Sequence, residues 1–282
     1  MKQKTALVTG GSAGIGFQVA KQLLLAGYHV ALTSRSSERA AMAARELIGL
    51  NSGTSDVIGL GLDLSDLYSV QALATEIAER DLQIDSVVTN AGVKIQRPFR
   101  KTAQGFEWHY GINHLGHYLL ARELAKAGQH YHLTTVSSVV ARLGDPKTWQ
   151  IHDIDVGASS QYAASKLANL VLARAVLEKV PAWAENLTAS AAHPGFTKAE
   201  PYGTFITRLG ETLLAQSASA GAMPIVQAVH GNARQTSVEY LGPKRWELWG
   251  APAPAKVPLS VTSEMCGHLV ELSEEQLASA GF

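Results

Sequence analysis

Short apolar runs that alternate with longer segments of helical period are the feature that most constrains this chain of 282 residues. Six runs rich in β-branched or small apolar residues lie at 5–9, 29–33, 57–62, 86–89, 132–136 and 187–192. Segments between them, such as IGFQVAKQLLLAG and SVQALATEIAER, repeat apolar residues every three and four positions. This pattern predicts an α/β fold: a doubly wound parallel sheet, covered by helices on both faces, with ligands at the carboxyl ends of its strands.

The pattern weakens after about residue 197, where KAEPYGTF, SASAGAMP and GAPAPAKVP mix proline, glycine, aromatic and small residues. We see no second core there. We therefore expect one domain over residues 1–282, with its core at 1–196 and an irregular elaboration at 197–255. Within it, APAPAKVP is interpreted as an extended surface segment. At helix ends, we expect Gly27 to cap the first helix and Ser65 to be the N-cap of the third.

Charge and apolar composition exclude several classes of partner. The chain has 24 basic and 24 acidic residues, so no net field draws it to nucleic acid or to an anionic membrane. The N-terminal MKQKTALVTGG enters a strand directly, without the apolar segment of a signal peptide, and no stretch approaches eighteen apolar residues. The single cysteine, Cys266, is interpreted as a small apolar filler. We expect a soluble cytoplasmic protein.

The turn TGGSAGIG, residues 9–16, follows the first predicted strand and opens the first predicted helix. Its glycines Gly10, Gly14 and Gly16 allow positive φ and let a phosphate approach the backbone, while the helix N-terminus offers unpaired amides and a positive dipole end. The spacing departs from G-x-G-x-x-G. Its place in a βαβ unit nevertheless favours dinucleotide binding over a merely structural turn.

A phenol and an ammonium share one helix face farther along the chain. Tyr162 and Lys166, in YAASK, stand four positions apart in a segment of helical pattern. Spacing alone allows two solvated side chains or an acid beside the charge that tunes it. The pKa of a phenol, near 10, must fall by about 2 to 3 units to act near neutrality. An ammonium about 5 Å away, at an effective dielectric near 20, supplies on the order of 3 kcal/mol toward that change.

Five motifs occur in one order along the chain. They are the glycine turn, NAG at 90–92, Asn113, the serines at 137 and 138, and Tyr162-x-x-x-Lys166. Over residues 4 to about 200 this order resembles the short-chain dehydrogenase/reductase family. NHLGHYLL and YAASKLANLVLA most resemble the branch that contains retinol dehydrogenases. The resemblance implies a Rossmann-type fold and hydride transfer between a nicotinamide and a carbonyl or alcohol.

The resemblance assigns a role to each catalytic candidate. Tyr162 would exchange a proton with the substrate oxygen, and Ser138 would hydrogen-bond the same oxygen. Lys166 would lower the pKa of Tyr162 and bind the nicotinamide ribose, and Asn113 would help to hold a water that relays the proton. The family pattern favours Ser138 over Ser137, for which the alternative is a strand-end hydroxyl that bonds the backbone.

The same resemblance supplies the cofactor contacts. The candidates are Gly10, Ser12, Gly14, Ile15, Gly16, Ser34, Arg35, Asp63, Leu64, Asn90, Ala91, Gly92, Tyr162, Lys166, Pro194, Gly195 and Thr197. Ser34 and Arg35 stand where an NAD enzyme usually has an acid, and a guanidinium suits a 2′-phosphate, so we expect NADP(H). The alternative is an Arg35 that merely points to solvent. Asp63 matches the position that contacts adenine, with a turn-forming aspartate as the alternative.

Two matches to the family are incomplete. Thr89 stands before Asn90 in place of a commoner asparagine. Pro194 and Gly195 match the turn beneath the nicotinamide carboxamide, but the threonine expected four residues after that glycine is replaced by alanine. Either Thr197 substitutes for it or this hydroxyl contact is missing.

Several other residues have a structural interpretation as an alternative to a functional one. His114 and His117 are three apart on a predicted helix, but no nearby cysteine or carboxylate completes a metal set, so we expect packing or a polar surface role. The long interval between Ser138 and Tyr162 either shapes the pocket through Trp149 or is a surface excursion. The aromatics of the last third line a pocket or belong to the core: Phe196, Tyr202, Phe205, Trp246 and Trp249.

The sequence thus predicts an NADP(H)-dependent carbonyl reductase or alcohol dehydrogenase for an apolar, uncharged small molecule, with residues 197–255 covering the substrate. Self-association through long helices, common in this family, is expected. One alternative is a non-catalytic NADP(H) sensor, which would have no need for Ser138, Tyr162 and Lys166 together. Another is cofactor-free chemistry such as dehalogenation, against which the glycine turn and Lys166 argue.

Overall fold

The computed structural model describes residues 3–50, 53, 55–197, 215–231, 238–258 and 260–282. Its strands are β1 Thr5–Val8, β2 His29–Ser34, β3 Val57–Gly61, β4 Ser86–Thr89, β5 His132–Val136, β6 Thr188–Ala192, β7 Glu239–Arg245 and β8 Trp249–Pro254. They form one sheet in the order β3-β2-β1-β4-β5-β6-β7-β8, parallel except for the final pair. The predicted doubly wound parallel sheet is confirmed, and all six predicted strands are present.

Helices cover both faces of the sheet. They are α1 Gly14–Leu25, α2 Ser37–Leu50, α3 Leu67–Glu79, α4 Trp108–Tyr110, α5 Gly116–Lys126, α6 Ala158–Leu177, α7 Ala218–Val229 and α8 Ser263–Ser279. A π-helical turn, Gly111–Leu115, joins α4 to α5. One cluster of buried apolar residues lies beneath α3, α5, α6 and α8, and a second lies beneath α1, α2 and α7. The two clusters make the three layers of a single doubly wound domain.

The hairpin of β7 and β8 is the part of the sheet that the sequence did not predict. Its first strand, EYLGPKR, and its second, WGAPAP, carry glycine and proline, which weaken a strand pattern. Proline is tolerated in β8 because this edge strand has no ladder partner on one side, and Pro243 of β7 lies beyond the residues that pair with β6. The APAP of the predicted surface tract lies in β8. The assignment of 197–255 as a substrate cover stays a prediction.

The caps of two helices test the local interpretations. Gly27, with φ of 91°, follows the C-cap of α1 as expected. The N-cap of α3 is Asp66, whose carboxylate accepts from the Tyr68 amide at 3.1 Å, so the prediction of Ser65 was wrong. The Ser65 hydroxyl donates instead to Asp63 Oδ1 at 2.7 Å. A carboxylate one residue farther on competes successfully for the cap because it also complements the helix dipole.

The C-terminal helix α8 covers the outer faces of α5 and α6. Glu274 accepts hydrogen bonds from Tyr118 Oη at 2.7 Å and from Arg122 Nη1 at 2.8 Å, both on α5. Cys266 packs fully buried against α6, as the filler interpretation expects. Self-association through long helices stays a prediction.

The segment between β5 and α6 is anchored by its tryptophan. Trp149 is completely buried, and its indole donates to the Ala164 carbonyl of α6 at 2.9 Å. Gln276 of α8 donates to the Trp149 carbonyl at 2.9 Å. Trp149 is thus part of the core rather than of a surface excursion. Within the described residues, no helix is long and apolar enough to cross a bilayer.

Candidate active site

The glycine turn between β1 and α1 packs directly against the end of β4. A Cβ on Gly10 would lie 3.0 Å from Ala91 Cα, and one on Gly16 would lie 2.2 Å from the Gly10 carbonyl oxygen. Asn90 Nδ2 donates to the Thr9 carbonyl at 2.9 Å. The two ends can approach this closely only because glycine has no side chain.

The other side of the turn is open. Gly14 has φ of 56°, and a Cβ there would have no atom within 4 Å. The N-cap of α1 is Ala13, which supplies no side-chain hydrogen bond, and the first turn of α1 has no acidic residue. Ser12 and Ile15 lie half-buried on the same turn. The first amides of α1 and this clear space fit a cofactor diphosphate.

The end of β2 lies beside this turn. Gly11 N donates to the Thr33 carbonyl at 3.0 Å, and Gly10 N donates to Thr33 Oγ1 at 3.3 Å. Ser34, the last residue of β2, is half-buried, and Arg35 is exposed. The 2′-phosphate role of Arg35 stays a prediction.

Asp63 lies after β3 and builds a turn. Its Oδ1 accepts from the Ser65 amide at 2.9 Å, and its own amide donates to Ser69 Oγ at 2.9 Å. Asp63 Oδ1 therefore forms the turn, as the alternative interpretation expected, and these bonds do not involve Oδ2. Leu64 is buried, and its carbonyl oxygen lies 2.9 Å from where a Cβ on Gly116 would be. The first glycine of α5 lets that helix approach the turn.

Asn113 stands in the π-helical turn, a type of helix irregularity that is frequent at functional sites. Its Oδ1 accepts from the Val93 amide at 2.7 Å, and its Nδ2 donates to Ser165 Oγ at 3.0 Å. A Cβ on Gly92 would lie 2.8 Å from Asn113 Oδ1 and 3.4 Å from Lys166 Nζ. The structure thus brings Gly92, Asn113 and Lys166 together.

Burial controls the acid–base behaviour of the tyrosine and lysine. Burial raises the pKa of Tyr162, and a hydrogen bond with Ser138 acts in the opposite direction. Burial, together with the nearby Lys94, lowers the pKa of Lys166 to about 8. Lys166 Nζ donates to the Val136 carbonyl at 3.0 Å. The expected lowering of the Tyr162 pKa by Lys166 was therefore wrong for this structure, because desolvation of the phenol is the largest influence on that pKa.

The two serines after β5 have different partners. Ser137 Oγ is buried and donates to the Lys166 carbonyl at 2.7 Å, which is the backbone bond that its strand-end interpretation predicts. Ser138 is the N-cap of the short 3-10 helix Val139–Leu143, and of the two serines it is the one whose side chain lowers the pKa of Tyr162. Only Ser138 has its hydroxyl beside the phenol.

The turn after β6 is shaped from within. The Pro194 carbonyl accepts from Thr197 Oγ1 at 2.7 Å and from Gln216 Nε2 at 2.6 Å. Gly195 has φ of 66°, and a Cβ there would lie 2.6 Å from the Leu248 carbonyl oxygen. The Thr197 hydroxyl uses its only proton inside the turn, which leaves only acceptor capacity for a carboxamide. The alanine at 199 lies outside the described residues.

The aromatic residues of the last third were expected to line a pocket or to belong to the core. Tyr202 and Phe205 lie outside the described residues. Phe196 is partly exposed, and the Trp246 side chain is 74% exposed. Its ring contacts that of Trp249 edge to face, with centroids 6.1 Å apart. Trp246 and Trp249 are thus surface residues that contact each other and do not belong to the core.

Sequence reasoning gave no site role to two polar residues that link the glycine turn to Asn113. His117 is buried, with Nδ1 3.0 Å from the Asn113 carbonyl oxygen and Nε2 2.9 Å from Thr9 Oγ1. Burial lowers the pKa of His117 to about 4, so the ring is neutral near pH 7. Since a carbonyl only accepts, Nδ1 carries the proton and Nε2 accepts from Thr9. The four-residue spacing of Asn113 and His117 could have indicated this contact.

His114, the other histidine of that motif, packs in the core. Its Nε2 lies 3.0 Å from Ser273 Oγ of α8, and burial lowers its pKa to about 3. Both histidines are buried, in agreement with the packing role expected for this pair. Among the described residues, no group of three His, Cys, Asp or Glu side chains could hold a metal ion.

Comparison with known proteins identifies the family. Residues 4–205 match the short chain dehydrogenase family. Retinol dehydrogenase 11 of Mus musculus is 34% identical over an alignment of 206 residues, and the match covers 70% of this chain and 62% of that protein. The chain thus spans under two thirds of this relative.

Solved structures share the fold. A crystal structure of an uncharacterized protein from Mycobacterium paratuberculosis has a TM-score of 0.77 and 26% identity, covering 98% of this chain and 94% of that one. A short chain dehydrogenase from Burkholderia cenocepacia, solved in complex with NADP, has a TM-score of 0.64 and 24% identity, covering 83% and 93%. The chain belongs to the short chain dehydrogenase family of oxidoreductases and is most similar to its retinol dehydrogenase branch.

Proposed function

We propose that the protein transfers a hydride between NADP(H) and the carbonyl or alcohol of an apolar small molecule, with Tyr162 as the general acid and base. The observation that carries this proposal is the convergence at the carboxyl end of the sheet. The Ser138 side chain is near enough to the Tyr162 phenol to lower its pKa, and Lys166 and Asn113 lie together beside Gly92. These groups come from β4, the π-helical turn, the end of β5 and α6, and a parallel sheet places its ligand sites at this edge.

The protonation states favour carbonyl reduction at neutral pH. A nicotinamide cofactor, when bound, supplies the hydride. Because burial raises the pKa of Tyr162, the phenol carries its proton near pH 7 and can give it to a carbonyl oxygen that Ser138 also contacts. Lys166, with a pKa of about 8, is mostly protonated at that pH and stabilises the tyrosinate that the transfer leaves.

Asn113 and its neighbours complete this site. The backbone carbonyl oxygen of Asn113 accepts from His117 with one lone pair, and we propose that its second lone pair binds a water that relays protons to Lys166. The side-chain bonds of Asn113 to Val93 and Ser165 hold the π-helical turn in one arrangement. This rigidity keeps the relay in place without motion of the side chain.

Two observations support NADP(H) as the cofactor. The clear space at Gly14 and the uncapped N-terminus of α1 accommodate a diphosphate, and the exposed Arg35 follows β2 where a 2′-phosphate would lie. The similar Burkholderia cenocepacia protein was solved with NADP. A guanidinium can make two parallel hydrogen bonds to a phosphate, which a ribose hydroxyl cannot match.

The test is NADPH consumption with a panel of apolar aldehydes, ketones and diketones. Tyr162→Phe should lower kcat by about 10² to 10⁴, the usual contribution of general acid–base catalysis, and leave NADPH affinity near the wild-type value. Tyr240→Phe is the matched control, because Tyr240 is also buried and its hydroxyl donates to the Ser138 carbonyl at 3.2 Å. It should lose less than about tenfold. Undiminished turnover in Tyr162→Phe would remove the phenol from the reaction.

A further inference from the structure

The tip of the β7–β8 hairpin has an unusual backbone. Trp246 and Glu247 have φ of 55° and 59°, and Leu248 N donates to the Arg245 carbonyl at 3.0 Å. Positive φ at both central residues defines a type I′ turn, in which asparagine and glycine are preferred. A tryptophan and a glutamate are sterically disfavoured there, so other contacts of these residues must maintain the conformation.

The Glu247 carboxylate makes those contacts. Its Oε2 accepts from Arg142 Nη2 at 2.9 Å and lies 3.5 Å from His193 Nε2, and its Oε1 accepts from the Lys256 amide at 3.4 Å. The Glu247 side chain is only 17% exposed. The left-handed turn therefore directs the carboxylate inward, to one buried imidazole and one guanidinium.

His193 depends on this carboxylate. The imidazole is completely buried, and its Nδ1 accepts from the Gly195 amide at 3.2 Å, so a neutral ring carries its proton on Nε2. No acceptor among the described residues lies within ordinary hydrogen-bond geometry of that Nε2. Glu247 Oε2 faces it at 3.5 Å and supplies the electrostatic complement.

The two partners of Glu247 belong to opposite walls of the active site. Arg142 lies in the 3-10 helix that begins after Ser138, and its Nε donates to the Val139 carbonyl at 2.8 Å. His193 directly precedes Pro194 and Gly195. One carboxylate on the hairpin thus joins the segment of the catalytic serine to the turn assigned to the nicotinamide carboxamide.

The hairpin backbone supports the same two walls. Phe196 N donates to the Leu248 carbonyl at 3.1 Å, and a Cβ on Gly242 would lie 2.1 Å from His193 Nε2. From β7, the Tyr240 hydroxyl donates to the Ser138 carbonyl at 3.2 Å. Glu247 adds a charged contact at the point where both walls can be reached at once.

We propose that Glu247 is a positioning residue, which sets the distance between the Ser138 hydroxyl and the cofactor turn at Pro194–Gly195 by binding Arg142 and His193 together. This role rests on the proposed function, because it presumes that these walls bind substrate and nicotinamide. The relative placement of substrate and hydride donor matters for transfer, because a misplacement of about 1 Å can cost about 10²-fold in rate. Loss of these two contacts of Glu247 should therefore have a larger effect on kcat/KM than on the free energy of unfolding.

The test compares two isosteric variants, Glu247→Gln and Glu274→Gln. Both carboxylates accept from an arginine, at 2.9 Å and 2.8 Å, but Glu274 lies on α8 away from this site. Glu247→Gln should lower kcat/KM by about tenfold, in line with the loss of one charged hydrogen bond, and Glu274→Gln should leave it unchanged. Equal kinetics of the two variants at equal stability would overturn the proposal.

Hydrogen exchange supplies a readout that needs no turnover. In Glu247→Gln, amides in Val139–Leu143 and at Gly195 and Phe196 should exchange faster than in the wild type, while Glu274→Gln should leave them unchanged. If these amides exchange at wild-type rates in a folded Glu247→Gln variant, the proposed link between the two walls is refuted. Absence of NADPH turnover in the wild type, with this exchange pattern present, would refute the proposed function and leave the structural link standing.

A second variant covers the case in which Glu247→Gln fails to fold. Arg142→Gln removes the exposed partner of the same ion pair and should reduce kcat/KM by a similar factor of about ten. If both variants fold, the double variant should be no slower than either single one, because they remove the same contact. Additive losses would show that the two residues act separately and would contradict the proposal.

Discussion

The segment from β1 to β6 and the segment from α7 to α8 build the same site in different ways. In the first, groups at neighbouring strand ends meet directly over short distances: the Asn90 side chain bonds the Thr9 carbonyl, and the backbone at Gly16 closes against Gly10. In the second, long side chains reach across the fold, as Glu247 does to Arg142, 105 residues away. The first segment carries the residues that we propose to bind the cofactor and to react, and the second braces them.

This difference has a physical origin. Backbone contacts at the carboxyl ends of parallel strands follow from the strand order, which is the same for every sequence with this fold. Side-chain braces require particular residues at particular distant positions, and each contributes only about 1 kcal/mol. Substitutions in the first segment should therefore have large, local effects on the fold or the cofactor, and those in the second should have small effects.

The largest expected effect is that of Gly16→Ala. Its methyl group would lie 2.2 Å from the Gly10 carbonyl oxygen and 2.4 Å from Asn90 Nδ2, so the turn must open, at a cost of about 3 kcal/mol or more. Gly14→Ala is the matched control, with open space around it and a penalty of about 1 to 2 kcal/mol from its positive φ. Urea unfolding should separate the two, and equal losses would break the comparison.

Lys166→Met should stabilise the protein near pH 7 while it abolishes turnover. The pKa of Lys166 is lowered from 10.5 to about 8, and that difference corresponds to about 3 kcal/mol of unfavourable burial of the charged form. The Val136 carbonyl keeps its bond from Asn169 Nδ2 at 3.0 Å. The buried charge of Lys166 therefore lowers the free energy of unfolding while it serves the proposed reaction.

The sign of the pH dependence follows from proton binding. Below pH 8 the lysine is protonated in both states, and the folded state bears the whole penalty. Between about pH 8 and 10.5 the unfolded state binds more protons, so wild-type stability rises with pH and the advantage of Lys166→Met should shrink. Unfolding free energies at pH 7 and pH 9.5 measure this. An equal difference in unfolding free energy between Lys166→Met and the wild type at both pH values would contradict the lowered pKa of Lys166.

Arg35→Gln should change cofactor choice without affecting the fold. Loss of a charged hydrogen bond to a 2′-phosphate should weaken NADPH by about 10- to 100-fold and leave NADH unchanged. Arg39→Gln is the control, because Arg39 is exposed in the same region, on α2. Fluorescence titration of both cofactors gives the answer, and equal weakening of NADPH and NADH would reject the 2′-phosphate contact.

The smallest expected effect is that of Glu274→Gln in the C-terminal segment. The carboxylate accepts from Tyr118, Arg122 and Trp183, but it is partly exposed, so its charge contributes about 1 kcal/mol or less. The melting temperature should fall by about 2 to 4 °C, with kcat and KM unchanged. A decrease in kcat would show that α8 also acts on the site.

Sequence reasoning was most accurate where structure depends on near neighbours. The six predicted strands have apolar runs of their own, and the positive φ of Gly27 follows from its place after a helix. It was wrong at Ser65, because the carboxylate of the next residue is the better cap. It missed β7 and β8, whose glycine and proline content hides their period. Their pairing with β6 and with each other stabilises them instead.

The candidate site shows the same division. The sequence identified the residues at the ends of β4 and β5 and on α6, but it predicted the wrong direction for the pKa of Tyr162, because burial depends on every element around the phenol. It set His117 aside as packing. The structure places that ring between Thr9 and the Asn113 carbonyl.

The amino-acid sequence by itself determined the alternating α/β architecture, the open glycine turn and the family, since each depends on short spacings that survive without a fold. Only the tertiary structure decided which serine meets Tyr162, how strongly Lys166 is desolvated and where the Glu247 carboxylate lies. These properties arise from groups distant in the chain that share one low-dielectric space, and no local pattern records such an encounter.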